Sequence, residues 1–233
     1  MTDGSDSASV ILAEQQTYYR ERAPEYDEYF LRRGRYDDGP ERNRQWFAEV
    51  DAIRSALAAF APVGEVLELA AGTGLWTSEL AKYAGHVTAL DGSPEALAIN
   101  RSRVPATAAI EYVVNDIFRW QPDRAYDAVF FAFWLSHVPT ELFEMFWDRV
   151  RSFLRPYGRV FFVDSLHPST AALRATEQGD GVSVRRLNDG RAFRVVKIFY
   201  EPAALQQRLD ALQWRPDVRS TQNYFVYGTA TKP

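Results

Sequence analysis

The 233-residue sequence has no cysteine, so disulfides, zinc–thiolate centres and a cysteine nucleophile are excluded. Imidazoles are scarce: His86, His137 and His167 are the only three, which leaves few candidates for a histidine base. No apolar run is long enough to cross a bilayer, and the opening residues MTDGSDSASVILAEQQ lack the basic start and apolar core of a secretory signal. A basic excess is also missing. Lys and Arg number 27 against 31 Asp and Glu, a net charge of −4, which disfavours nucleic acid as a partner. There is no internal repeat and no Gly/Ser linker. The expectation is a cytoplasmic protein, monomer or homodimer, that acts on a small molecule, with no nucleic acid, no membrane and no metal.

What is present suits one α/β unit: 46% of residues are hydrophobic, enough for a sizeable core. Residues 1–8 read as a frayed tail, and residues 10–31 as helical with a break at Pro24. A charged loop follows, then a helix over residues 41–60 with Trp46, Phe47, Val50, Ile53 and Leu57 in helical spacing. Strands over 65–69, 86–90, 110–115, 128–133 and 159–164 then alternate with helices over 75–83, 94–101 and 141–154. That rhythm implies a parallel sheet with right-handed crossovers. The tail differs. Residues 182–187 and 191–200 flank the turn signal NDG, residues 202–212 read as a short helix and 224–230 as a last strand.

Strand ends carry the chemistry. In LELAAGTG (67–74), Gly72 and Gly74 fill two places of G-x-G-x-x-G, but the third falls on Thr77, and no P-loop follows. Glu68 inside this strand would repel a pyrophosphate and suits a cation, such as the sulfonium and amino groups of S-adenosylmethionine. Asp91 ends the second strand in TALDGS, where a carboxylate can accept ribose hydroxyls. Asp116 follows the third strand in VVNDIF, placed to accept from an adenine amino group while the Ile117 N–H donates to the ring. Each acid alone also reads as a helix cap or loop residue; together they point to one nucleoside cofactor.

These segments resemble the class I S-adenosylmethionine-dependent methyltransferases over roughly residues 17–165. ELAAGTG is similar to their first motif, ALDGS to their acidic loop and NDIF to their adenine-binding turn. The resemblance implies an α/β, Rossmann-like, seven-stranded and mostly parallel sheet whose antiparallel last strand is inserted between strands five and six. It implies S-adenosyl-L-methionine as cofactor, with Tyr19, Glu68, Ala70, Gly72, Thr73, Gly74, Asp91, Gly92, Ser93, Asn115, Asp116, Ile117 and Phe131 as its contacts. YYRERAPEYDEYF resembles the N-terminal cap of small-molecule members, which divides the chain into a cap (1–60) and a core (61–233) with a hairpin insertion at about 180–200. FFAFWLSHVP and VRRLNDGRAFRVVKIFY resemble, more narrowly, phosphonate O-methyltransferases of antibiotic biosynthesis.

Methyl transfer from a sulfonium is an in-line displacement, so the protein mainly binds, orients and excludes water. His137, after the fourth strand in FWLSHVP, is the expected catalytic residue and a substrate contact; its alternative role is to cap the following turn. His86 reads as structural and His167 as a loop histidine. The hairpin carries Arg185, Arg186, Arg191, Arg194 and Lys197, and period-two alternation sets Arg194 on one face and Arg191 and Lys197 on the other. Edge hairpins often carry exposed cations against aggregation. Near the site they would instead hold an anionic acceptor, with Arg185 and Arg194 favoured and Tyr29 and Trp134 completing the substrate set. The expected reaction is O-methylation of a phosphonate or carboxylate. N-methylation of an amino sugar or other small amine, or a non-catalytic cofactor-binding regulator, is the alternative.

Overall fold

The structure is a computed structural model that describes residues 3–167, 177–178 and 181–232. The chain opens with helix α1 (Asp3–Arg22), so residues 3–8 are helical rather than a frayed tail. Pro24, lacking an N–H, breaks the regular helix. A 3₁₀ turn (Ala23–Glu25) and the short α2 (Asp27–Phe30) redirect the chain.

Helix α3 (Pro40–Phe60) begins with proline in its first turn. Its buried Trp46, Val50, Ile53, Leu57 and Phe60 pack with Val66, Val87, Ala128, Phe130 and Phe161 of the sheet. The last part of the expected cap, residues 40–60, is therefore a layer of the core.

The core continues through β1 (Glu65–Leu69), α4 (Thr77–Leu80), β2 (His86–Asp91), α5 (Pro94–Arg103), β3 (Ile110–Val114), β4 (Tyr126–Ala132), α6 (Phe143–Phe153) and β5 (Leu154–Ser165). A separate three-stranded sheet follows, with β6 (Glu177–Gln178), β7 (Val182–Arg186) and β8 (Ala192–Val196). Helix α7 (Pro202–Ala211), β9 (Arg215–Ser220) and β10 (Phe225–Thr231) end the chain. The main sheet has seven strands in the order β3-β2-β1-β4-β5-β10-β9, with β10 antiparallel to both neighbours. This is the expected Rossmann-like α/β sheet. Strand β9 (RPDVRS) has no sequence signature, because it is a polar, largely exposed edge strand with a proline.

The pleat of β4 divides the core. Phe130 stacks on Phe161 at 6.0 Å between centroids toward α3, and Phe131 stacks on Phe162 at 5.8 Å toward α6. On that second face, Phe143, Phe146, Trp147, Val150 and Phe153 form the apolar stripe of α6. Strand order reverses at β1, which pairs in parallel with both β2 and β4. Such a reversal opens a crevice beyond the strands' carboxyl ends.

Candidate functional site

A cavity of about 340 Å³ lies at that crevice, with α1 as its roof. Ala70, Gly72 and Thr73 after β1 line it, as do Asp91, Gly92 and Ser93 after β2 and Asn115, Asp116 and Ile117 after β3. Trp134 and His137 after β4 and Tyr19 from α1 complete the expected residues found there.

Local backbone chemistry explains the convergence. Ala70, Gly72 and Gly74 have φ of 52°, 53° and 87°, which turns the chain sharply after β1. The Gly72 N–H donates to Asp91 Oδ2 at 2.8 Å, and the Ser93 N–H donates to Oδ1 at 2.8 Å. Burial raises the Asp91 carboxyl above its usual range, opposed by backbone N–H groups of Ser93, Gly72 and Gly92. Each oxygen retains capacity for a further donor such as a ribose hydroxyl. Asp116 Oδ1 accepts the Phe118 N–H at 2.7 Å, and Gln16 Nε2 of α1 donates to Oδ2 at 3.3 Å. The neighbouring Ile117 N–H has no acceptor among the described residues, so a donor faces the cavity region unspent. A diol acceptor at Asp91, and an acceptor–donor pair at Asp116 and Ile117, fit the ribose and adenine of S-adenosylmethionine.

Three expected cofactor contacts lie elsewhere. Phe131 is fully buried in the α6 layer, because the strand pleat turns it away from the ligand crevice; Ala132 and Phe133 line the cavity instead. Gly74 packs against α5, where an added Cβ would meet Asn100 Oδ1 at 2.6 Å. Its value is that close approach. Glu68 sits behind the main cavity, beside a smaller one of about 30 Å³ shared with Tyr26, Tyr29 and Trp76. Thr77 Oγ1 donates to Glu68 Oε2 at 2.5 Å, and Asn100 Nδ2 donates to Thr77 Oγ1 at 2.7 Å. Burial pushes the Glu68 carboxyl up to about 8, with Thr77 opposing and Asp91 adding to the rise. A cation in the small cavity would favour its ionised form.

After β4, His137 lines the main cavity from a 3₁₀ turn, Leu135–His137. Its Nδ1 lies 2.6 Å from the Val196 carbonyl, which can only accept, so Nδ1 carries the hydrogen. Nε2 is left as an acceptor, and Tyr19 Oη donates to it at 2.7 Å. Burial holds the His137 pKa well below the usual imidazole range, with Lys197 adding to the fall and the Val196 bond opposing it. The ring is neutral at pH 7. Gln15, which the sequence did not single out, fastens this arrangement: Nε2 donates to the His137 carbonyl at 3.1 Å, and the Val196 N–H donates to Oε1 at 2.9 Å.

The hairpin cations separate into three roles. Arg194 is on the outer surface, its side chain 52% exposed, with Nη2 2.8 Å from Glu14 Oε2 of α1. It lines neither cavity. Arg191 likewise pairs with Glu21 of α1 and with Asp189 of the hairpin turn. Lys197 turns inward and is buried: Nζ donates to Ser136 Oγ at 2.8 Å and lies 3.5 Å from Asp164 Oδ1. Arg185 stands opposite Phe193 in the hairpin register and makes no hydrogen bond or ion pair among the described residues. Its charge acts on Tyr19, Tyr29 and His137, although burial dominates the shifts of all three. Tyr29 borders the small cavity, and burial raises its hydroxyl pKa. Trp134 lines the main cavity, and its Nε1 is buried without a partner. Asp164 escaped the sequence reading, and Lys197 was read only as a hairpin cation, because their pairing spans two distant elements.

Acids and glycines at three successive strand ends, gathered on one cavity, define an α/β protein that binds a nucleoside cofactor. The family described as a methyltransferase domain matches residues 66–158. The solved DhpI–SAM–HEP complex is 41% identical, over 96% of this chain and 98% of that one, with a TM-score of 0.79. The ubiquinone biosynthesis O-methyltransferase of Xylella fastidiosa (strain 9a5c) is 31% identical over 144 residues, 60% of this chain and 56% of that protein. The demethylmenaquinone methyltransferase of Tropheryma whipplei (strain Twist) is 33% identical over 104 residues, 45% of this chain and 43% of that protein. The chain spans about half the length of these curated relatives. It belongs to the class I S-adenosylmethionine-dependent methyltransferases.

Proposed function

We propose that this chain O-methylates a small anionic acceptor, a phosphonate or carboxylate. The observation that carries the reading is the charge at the histidine end of the site. Arg185 is unpaired among the described residues, and Lys197 is buried beside the neutral His137. The acid nearest Lys197, Asp164, is engaged by the Ser136 N–H at 2.9 Å as well as by Lys197. An anion is therefore matched there by positive charge, whereas an ammonium acceptor would meet repulsion.

When bound, the cofactor supplies an electrophilic methyl group. Asp91, Asp116 and Ile117 would hold its nucleoside, and α1 covers one side of the cavity. An oxyanion has no proton to lose, so Tyr19 and His137 orient it, while the Arg185 guanidinium binds its non-reacting oxygens. A neutral hydroxyl would instead need His137 Nε2 to take its proton, directly or through the Tyr19 hydroxyl. The DhpI complex, which holds SAM and HEP together, supports a small acceptor beside the cofactor.

The test is release of S-adenosylhomocysteine in a screen that sets small phosphonates and carboxylates against amines and neutral phenols. Turnover confined to the neutral or cationic compounds would overturn the anionic reading.

A further inference from the structure

The glycine-flanked loop after β1 is held from three directions. Asp91 accepts the Gly72 N–H at 2.8 Å, and Asn100 Nδ2 donates to the Gly72 carbonyl at 3.3 Å. Those two anchors belong to the core. The third comes from the cap: Thr73 Oγ1 donates to Asp27 Oδ1 at 2.5 Å. The other carboxylate oxygen of Asp27, Oδ2, is paired with Arg103 at the end of α5. Arg103 Nη1 also stands 3.5 Å from Thr73 Oγ1, so the three side chains form a closed set. A cation suits this last turn of α5, where the helix dipole is negative.

The position of Asp27 gives the cluster its reach. The preceding residue, Tyr26, lines both the main and the small cavity, and Thr73 lines both as well. Between Gly72 and Gly74 the backbone has little restraint of its own, so an anchor on Thr73 restricts the loop directly. With both oxygens of Asp27 engaged, the cap cannot swing away without releasing Thr73. Conversely, a displaced loop removes one of the cap's two polar partners at this point.

We propose that Asp27, oriented by Arg103, is a positioning residue that couples the cap to the cofactor loop, so that cofactor retention depends on the Asp27–Arg103–Thr73 cluster. This rests on the methyltransferase reading and adds to it a dependence of cofactor affinity on residues that need not touch the cofactor. It also implies an order of events. The cofactor steadies the loop, the loop fastens the cap through Thr73, and the acceptor enters a site whose roof is already in place.

The experiment is calorimetric titration of the full chain and its Arg103→Gln, Arg103→Lys and Asp27→Asn variants with S-adenosylhomocysteine, with hydrogen exchange over residues 20–30 read in parallel. Arg103→Gln should weaken binding about three- to tenfold, less than the full loss of a charge-assisted hydrogen bond because Arg103 acts on the cofactor only through Asp27 and Thr73. It should also speed exchange of residues 20–30 in the ligand-bound protein. Arg103→Lys should restore part of both effects, because it keeps the charge without the planar fork. In turnover assays the variant should raise KM for the cofactor more than it lowers kcat. Thermal unfolding of the ligand-free variants checks that each is folded, and Arg103→Lys serves if Arg103→Gln is not. Affinity within about twofold of wild type, or unchanged exchange, overturns the coupling. A wild-type chain that fails to bind S-adenosylhomocysteine overturns the methyltransferase reading itself and the coupling with it.

Discussion

The Tyr19 hydroxyl on the cap donates to His137 Nε2 at 2.7 Å, while the opposite ring nitrogen is committed to the Val196 carbonyl. One imidazole thus ties the cap, the β4 turn and the hairpin together, and its tautomer is set by a backbone carbonyl. The remaining lone pair is directed at a phenol that lines the cavity. Replacing His137 with Gln should cost a neutral hydroxyl acceptor about 10²–10⁴-fold in turnover and an anionic acceptor much less, because only the former must lose a proton. Steady-state kinetics on a matched pair of acceptors checks this.

The same histidine gives a pH dependence of stability. Its folded pKa is depressed by burial, so below the unfolded value the unfolded chain binds the extra proton. The stabilising contribution is present above about pH 6.5 and is lost as pH falls toward the folded pKa. The melting temperature of wild type should therefore drop more between pH 7 and 5 than that of His137→Gln. Equal drops would show that the ring is not neutralised in the folded state.

Glu68 acts with the opposite sign. Its folded pKa stands at about 8, above the ordinary carboxyl value, so the folded chain holds the extra proton. That contribution is present at low pH, is lost as pH rises through about 8, and is absent above it. Glu68→Gln should accordingly gain melting temperature relative to wild type as pH is raised from 6 to 9. It should also weaken S-adenosylmethionine, whose positive groups would favour the ionised acid. Thermal scans across pH and calorimetry measure the two effects separately.

Asp91→Ala removes the acceptor that both Gly72 and Ser93 now use, and the one expected to meet ribose hydroxyls. Loss of cofactor affinity by about 1–3 kcal/mol is expected, roughly 5- to 150-fold in Kd. Calorimetric titration reads it directly.

Arg185 and Arg194 should behave differently although they share one hairpin. Arg185→Ala should raise KM for an anionic acceptor by about tenfold or more, since it removes a cation with no other partner among the described residues. Arg194→Ala should leave KM nearly unchanged, because its guanidinium is exposed and paired with Glu14. Parallel Michaelis curves for the two variants decide between them.

The main features legible in the sequence are those with a local cause. Alternating apolar segments announced the parallel sheet, and Asp91, Asp116 and the residues beside them fell at strand ends because each strand's limits show in its own composition. Which side of an element faces the ligand was less accessible. Phe131 and Ala132 are adjacent in β4, yet the pleat sends one into the α6 layer and leaves the other beside the cavity. Alternation likewise grouped Arg191 with Lys197, but packing left Arg191 with Glu21 at the surface and buried Lys197 against Asp164 and Ser136. Tertiary structure also decided the fastening of His137 by Gln15 and Val196, residues separated from it by 122 and 59 positions. No local pattern records such pairings. Their energy arises only when distant segments exclude water together, so composition and period determined the strand ends, and packing decided which charges and rings meet there.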